Sequence, residues 1–405
     1  MSQYDLKFIN HACIAFENDE ELILTDPWFM GDVFNNSWSL LENTNLENLN
    51  LEKLTTIFYT HEHPDHLSWE TLKSIREKVS QEIMIVYKRR DNKNILNRCR
   101  ELGFEFAEID PNVETELRDN FTVGLFPQGK DSALVYRVND KVILNQNDCH
   151  LDYNNIQVIK SIYPKIDVWL MQFGLAGYYA NRDDLAGLNV ARETHLKMIE
   201  EYYSFFQPNI FVPFASFVYF CKKYNSFLND VQLTPDDVYD RFTYPNYPTQ
   251  IVYYGDNILN KDWSDRNATN LKKWKNIFQK NKKIKDLKKY SESDILDSAD
   301  KLMSEDFTKS RFGSTGPTEI HLELFDLDKI FSLDFSTKSY SFLNKDKIDY
   351  QKLAGKLPME ELYSFLNFPW GADTLNITSC FDKLNNDLWT SMLVYRDSLY
   401  VGIRN

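Results

Sequence analysis

Short apolar runs rich in β-branched and aromatic residues punctuate the first half of the chain. They fall at Leu6–Ile9, Leu22–Leu24, Thr56–Tyr59, Glu82–Tyr87, Phe121–Phe126, Ala133–Val138 and Val142–Leu144. Runs of this length, bounded by turn residues, predict strands. Leu67–Val79 and Lys93–Leu102 read instead as helices, and Val138-Asn-Asp-Lys as a polar turn between two strands. Strand pairs mixed with helices predict a layered α/β sandwich rather than a doubly wound parallel sheet. Two more strands are expected at Asp167–Met171 and Asn209–Phe214, and the pattern stops near Tyr254.

From Leu271 to Lys289 the text LKKWKNIFQKNKKIKDLKK sets Leu271, Trp274, Ile277, Phe278, Ile284 and Leu287 near helical spacing among lysines. The expectation is one amphipathic helix packed on its own protein, in preference to a membrane surface or an acidic partner. Beyond residue 307, Ile320–Leu324, Ile330–Leu333, Leu375–Thr378, Ser391–Tyr395 and Leu399–Ile403 read as strands of a smaller α+β domain. The chain thus divides into a first domain over 1–256, a lysine-rich helical connector over 257–306 and a C-terminal domain over 307–405.

Composition narrows the classes. The 405 residues, 43% hydrophobic and 15% aromatic, can bury a sizeable core and are long for one domain. No apolar run is long enough for a bilayer span, and Met1-Ser-Gln-Tyr-Asp does not begin a signal peptide, so a cytoplasmic protein is expected. Five scattered cysteines fit reduced thiols. A net charge of −14 argues against nucleic acid as a partner. Neither "GLAGYY" nor "RFGSTGPTE" makes a phosphate loop or a dinucleotide fingerprint.

The chemistry concentrates in "FYTHEHPDHLSWETL", residues 58–72, where three of the chain's seven histidines fall within six positions. If the strand at Thr56–Tyr59 continues as extended backbone, His61, His63 and Asp65 share a face and His66 points to a neighbouring site. That arrangement suits two ions: His61 and His63 for the first, Asp65 and His66 for the second. Pro64 opposes helix at His63, and Asp65 or Ser68 can cap the helix that follows. Two neighbouring ions need a bridging acid, and Asp148 in "KVILNQNDCHLD" lies just past another strand. His150, two residues on, is as readily a nitrogen ligand as a surface turn residue. His11 and Asp26, also at strand ends, can orient a ligand from behind. His195 and His321 read as structural histidines.

HxHxDH, with "NHAC" and "ILTDPW" before it and "NQNDC" after it, resembles the metallo-β-lactamase superfamily, and within it the catalytic part of the CMP-N-acetylneuraminate hydroxylases. Residues 10–41, 60–75, 131–149, 171–179, 206–220 and 397–405 carry the likeness, which covers most of 5–230. The resemblance implies a four-layer αββα sandwich with a metal site along one sheet edge and, in the hydroxylases, an oxygen-using reaction. Those hydroxylases carry an N-terminal Rieske domain, whose paired Cys and His ligands are not found here; the first strand is expected within ten residues of Met1. The superfamily also usually supplies a histidine shortly before the bridging aspartate and another near the end of the fold. Here the first position offers Gln128 or Asp131, and the second only Ser216.

Such an oxygen-rich set suits iron or manganese, although zinc is an alternative. With iron, the expected function is a di-iron oxygenase or hydroxylase acting on a small polar metabolite such as a nucleotide-sugar-like compound, with electrons from an external donor or the substrate. With zinc, it is hydrolysis of an ester, phosphodiester or lactone. A third reading is a binding protein with a degenerate site. In both enzymatic readings Asp148 bridges the ions and Asp65 can also orient the attacking water or oxygen species. Tyr178, Tyr179, Trp28 and Phe29 are either pocket lining or packing. The segment "FPWGADTLNIT", 368–378, can shield the metal cleft, bind an apolar ligand or join copies into a homo-oligomer.

Overall fold

The computed structural model describes residues 3–242, 247–304, 317–368 and 370–401. Its first sheet contains β1 (Asp5–Asn10), β2 (Cys13–Glu17), β3 (Leu22–Thr25), β5 (Leu54–Phe58), β6 (Met84–Lys88) and β7 (Glu105–Ile109), in the order β1-β2-β3-β5-β6-β7. β1 to β3 are antiparallel; β3, β5, β6 and β7 run parallel. β4 (Trp38–Leu40) leaves this order and pairs with β14 (Val218–Phe220). The second sheet contains β8 (Glu114–Arg118), β9 (Phe121–Gln128), β10 (Asp131–Val138), β11 (Lys141–Asn147), β12 (Val168–Gln172) and β13 (Ile210–Phe214), antiparallel to β11 and parallel from there to β13.

The two sheets bury one apolar interior between them. Phe16 and Phe58 from the first meet Phe121 and Tyr136 from the second, with ring centroids 4.8–6.4 Å apart. Tyr136 is fully buried, and its hydroxyl is satisfied by Thr25 Oγ1 across the gap at 2.8 Å. Outside the first sheet, α1 (Trp69–Lys78) and α2 (Asn94–Glu101) place Leu72, Ile75 and Cys99 against Leu24, Ile57 and Ile85. Outside the second lie α3 (Tyr153–Ile162) and α4 (Leu185–Phe206), with Phe206 against Trp169. This is the expected αββα layering. α5 (Pro235–Arg241) and α6 (Trp263–Gln279) complete the rim, Trp274 stacking on Phe217 at 4.3 Å.

A third sheet holds β15 (Glu319–Leu324), β16 (Lys329–Asp334), β17 (Ser339–Asn344), β18 (Leu353–Leu357) and β19 (Asp382–Lys383), in the order β17-β16-β15-β18-β19. It packs with α7 (Glu292–Met303), α8 (Met359–Asn367), α9 (Gly371–Thr378) and α10 (Asn386–Val401) around a separate apolar cluster that includes Leu322, Leu362, Leu375 and Trp389.

Four readings are corrected. The lysine-rich helix does not reach Lys289: α6 starts earlier and stops at Gln279. Beyond it Ile284 is exposed, so no burial favours another turn, and Lys285 N–H instead bonds Cys221 O at 2.7 Å. Leu375–Thr378 lies in α9 rather than a strand. Ser391–Tyr395 lies in α10, where Leu388, Trp389, Met392 and Tyr395 are buried at helical spacing and Asn385 Oδ1 caps the start by accepting from the Asp387 and Leu388 N–H groups. The Leu399–Ile403 strand is helical through Val401; its last two positions, like 311–316 of "RFGSTGPTE", lie outside the described residues.

The C-terminal unit docks on the sandwich through buried charge. Lys222 Nζ lies 2.6 Å from Glu361 and 3.2 Å from Glu360, all three nearly without solvent contact. Burial opposes the charge on Lys222, but the two carboxylates outweigh it and hold its pKa above the ordinary value. Asn35 also donates to Glu361 at 3.2 Å, Arg182 pairs with Asp382 at 3.3 Å, and Tyr178 stacks on Phe381 at 4.6 Å.

Candidate metal centre

The site is assembled from the ends of β3, β5 and β11 and from the turns joining β1 to β2 and β9 to β10. Asp26, just past β3, has a left-handed backbone (φ 46°), which an aspartate tolerates better than most residues. Its carboxylate accepts from Thr60 N at 2.8 Å, Thr60 Oγ1 at 2.7 Å and His66 Nδ1 at 3.0 Å, tying β3 to the segment after β5. The His66 and Leu67 N–H groups bond His63 O at 3.0 and 2.8 Å, closing the Pro64-Asp65 turn, and Ser68 caps α1 by accepting from Thr71 N. At the end of β11, Asn147 is also left-handed (φ 46°), and its side chain grips Ser132 O at 3.1 Å and Asp148 N at 2.7 Å. Asp148 therefore turns off the strand toward the histidines.

Three groups of donors result, each with atoms within 4.8 Å of one another: His61, His63 and Asp131; His61, His66 and Asp148; and His11, Asp65 and His66. His61 Nε2 and His63 Nδ1 face each other at 2.9 Å, with Asp131 Oδ1 at 3.8 and 4.0 Å. Asp148 Oδ2 lies 3.6 Å from His61 Nε2 and 3.5 Å from His66 Nε2, between the two ends of the cluster. Asp65 Oδ2 lies 3.5 Å from His66 Nε2 and 3.2 Å from His11 Nε2. His61 Nδ1 donates to Thr60 Oγ1 at 3.0 Å, which leaves its Nε2 lone pair directed into the cluster.

The donor chemistry fits cations. Asp65, Asp131 and Asp148 each keep one buried carboxylate oxygen without a hydrogen-bond partner, and so does His66 Nε2. Unpaired buried acceptors of this kind are costly unless a cation joins them. Charge within the cluster is correspondingly strained. Burial drives His61 well below its ordinary pKa. Burial works the same way on His66, yet Asp148, Asp65 and Asp26 overcome it and hold the ring well above. Burial, reinforced by Asp148, pushes Asp131 up to about 6. Asp148 is buried too, but the imidazoles of His61 and His66 hold it well below the carboxylate range.

The geometry places several further positions. Of Gln128 and Asp131, only Asp131 faces the cluster; Gln128 Oε1 accepts from Asp152 N and Asn155 Nδ2 at the start of α3. His150 is not brought to the site. The turn at Asn147 directs Asp148 inward and leaves His150 exposed, its ring 6.5 Å from that of His195. His11 Nε2 lies 3.2 Å from Asp65 Oδ2, placed to orient that carboxylate, and it also falls in a donor group with Asp65 and His66. Ser216 is saturated by Phe173 N, Gly174 N and Phe214 O. Glu62, between two of the histidines, points away to Tyr87 Oη at 2.6 Å and Arg90 at 2.8 Å. Trp28 is fully buried with its ring perpendicular to that of His11, and Phe29 packs in the interior with Leu24 and Leu72. Tyr178 packs against the C-terminal unit, while Tyr179 remains partly exposed. Sequence reasoning passed over Thr60 and Lys88, for neither belongs to a ligand spacing.

Residues 22–144 match the family model described as the beta-lactamase superfamily domain, and the chain carries a domain of the metallo-β-lactamase fold with a His/Asp cluster suited to divalent metal. Within that class, the chain is 24% identical over 231 residues to the cytidine monophosphate-N-acetylneuraminic acid hydroxylase of Danio rerio, covering 52% of this chain and 38% of that protein. The Sus scrofa hydroxylase is 26% identical over 148 residues, covering 34% of this chain and 33% of that protein. The match therefore spans well under half of each relative's length. Among solved structures, CmlA, a diiron beta-hydroxylase from Streptomyces venezuelae, is similar at 16% identity with a TM-score of 0.40, over 53% of this chain and 45% of that one. Igni18, a metallo hydrolase from Ignicoccus hospitalis, is similar at 16% identity with a TM-score of 0.45, over 62% of this chain and 96% of that one. Among the described residues, no helix is long and apolar enough to cross a membrane.

Proposed function

We propose that the chain is a metal-dependent oxygenase that hydroxylates a small polar metabolite of nucleotide-sugar type, using two iron ions. The observation that carries the two-ion reading is the position of Asp148, whose Oδ2 lies within 3.6 Å of both His61 and His66. His61, His63 and Asp131 would hold one ion, His11, Asp65 and His66 the other, and Asp148 both. Support for oxygen chemistry comes from the relatives named as hydroxylases and from the three carboxylates in the donor set, which suit iron or manganese. The bound metal would supply dioxygen activation: substrate C–H, dioxygen, two electrons and two protons give C–OH and water, the electrons coming from a separate one-electron carrier protein.

The protein's part is positioning and enclosure. Asp26 and Thr60 fix the orientation of His66 and His61, and Arg90 and Tyr87 hold Glu62, which locks the turn carrying His61 and His63. Lys130, adjacent to Asp131, pairs with Asp373 of α9, so this helix of the C-terminal unit would wall one side of the cleft while the two-sheet sandwich would hold the ions. The test combines metal analysis of protein purified without chelator, oxygen uptake with a chemical reductant, and turnover of chromogenic esters and phosphodiesters. Two irons per chain with reductant-dependent oxygen uptake are expected. Zinc with ester or phosphodiester turnover and no oxygen uptake would replace this reading with hydrolysis. A chain that takes up no metal would overturn both.

A further inference from the structure

The last residue of β6 supplies no donor to the cluster, yet the end of that strand touches both ligand-bearing turns. Tyr87 and Arg90 engage Glu62 in the turn of His61 and His63. Lys88, only 6% exposed, donates from Nζ to Lys130 O at 2.6 Å and to Ser132 Oγ at 3.2 Å. These two acceptors bracket Asp131. The turn they belong to needs support. It is a two-residue connection between Gln128 and Asp131, Gly129 is left-handed (φ 62°), and nothing stands within 4 Å of where a Gly129 Cβ would be. Besides the strand pairing, the Lys130 side chain pairs with Asp373, and Asn147 and the start of α3 hold the residues on either side.

Burying an ammonium group costs several kcal/mol unless its bonds are well made, and an apolar side chain of similar volume would ordinarily be cheaper. Burial pulls the Lys88 pKa below its usual value, with Glu62 opposing. A charged group kept here at that cost, with two of its bonds on either side of Asp131, has a specific use. We infer that Lys88 is a positioning residue for Asp131, fixing the β9–β10 turn so that this carboxylate faces His61 and His63. The inference rests on the two-ion reading above and assigns to β6 the control of one ion's affinity.

The test is zinc binding to the full chain, measured by competition with a chromogenic chelator, for wild type, Lys88→Met, Asp131→Ala and the double variant. Wild type is expected to hold two ions. In Lys88→Met one of them should bind about 10–100-fold more weakly, the usual effect of losing a group that orients a ligand, while the other is unchanged. In the Asp131→Ala background the same substitution should have no further effect, because the carboxylate through which Lys88 acts is gone. Lys88→Arg, which keeps the charge and donors, should retain both ions within a few-fold. Unchanged affinity in Lys88→Met, equal weakening of both ions, or an undiminished loss in the Asp131→Ala background would overturn the role of Lys88. Should Lys88→Met prove unstable, Lys88→Gln takes its place with the same expected loss and the same outcomes. A wild-type chain that binds no zinc overturns the ligand assignment itself, which separates that failure from this one.

Discussion

Replacing Asp26 by asparagine tests whether tautomer control governs the second ion. The substitution is nearly isosteric, and asparagine tolerates the left-handed backbone at φ 46° as well as aspartate does, so the turn itself is unperturbed. Asp26 accepts three hydrogen bonds, from Thr60 N at 2.8 Å, Thr60 Oγ1 at 2.7 Å and His66 Nδ1 at 3.0 Å. An amide can keep the first only by turning its NH2 toward the other two. The threonine hydroxyl can rotate to accept; His66 Nδ1 must give up its proton to do so. The proton then moves to Nε2, the atom that faces Asp65 and Asp148 at 3.5 Å and would bind metal. Restoring the binding tautomer leaves two donors opposed in a buried site, at a cost of about 1–3 kcal/mol. At 1.36 kcal/mol per tenfold, that corresponds to roughly 5–150-fold weaker binding of one ion. Chelator competition reads the affinity, and nitrogen-15 chemical shifts of the metal-free His66 ring, taken at a pH high enough for the ring to be neutral, read the tautomer. Full affinity for both ions, with the Nδ1–H form persisting in Asp26→Asn, would refute the reasoning.

Three further outcomes are expected. Burial pushes the Glu62 carboxyl up, but Arg90 outweighs it and holds the group down to about 2, against an ordinary value of 4.5. A lowered folded-state pKa gives stability that is present above pH 4.5 and lost as pH falls toward 2; urea titrations of metal-free protein should show this, with a smaller acid loss in Glu62→Gln. Lys222→Met leaves Glu361 and Glu360 buried without their cation and should destabilise the chain by about 3–5 kcal/mol, measured by urea unfolding; adding Glu361→Met should recover part of the loss. His11→Ala should weaken one zinc ion while leaving the other in place, read by the same chelator competition, whereas a role confined to packing would leave both affinities within a few-fold.

How much of this was legible in the sequence depends on how local each signal is. HxHxDH was readable because alternation along an extended segment is a property of six consecutive residues, and the strand before it is a short apolar run with an unambiguous end. Asp148 was readable for the same reason. Asp131 was half readable: Gln128 and Asp131 are paired across one hairpin, and only the arrival of α3, whose first turn takes Gln128, leaves Asp131 for the histidines. His11 lies 54 residues from Asp65, and the bulge between Phe8 and Asn10 that shapes its turn has no signature in composition. In the C-terminal region, windows of four or five apolar residues do not distinguish a period of 2 from one of 3.6. Leu388, Trp389, Met392 and Tyr395 make the helix evident only when the window widens to include the Asn385 cap.

Lys88 belongs to a different category. Nothing in "MIVYKRRD" marks the lysine as anything but the polar end of a strand, and a lysine there would ordinarily reach into solvent. It is buried because β6 sits beside β5, whose end carries the ligands, and because the opposing sheet brings the β9–β10 turn over the same edge. A motif search finds the atoms that would touch metal. The atoms that decide how firmly they are held are supplied by whichever strands the topology places next to them, and in this chain β6 is one of those strands.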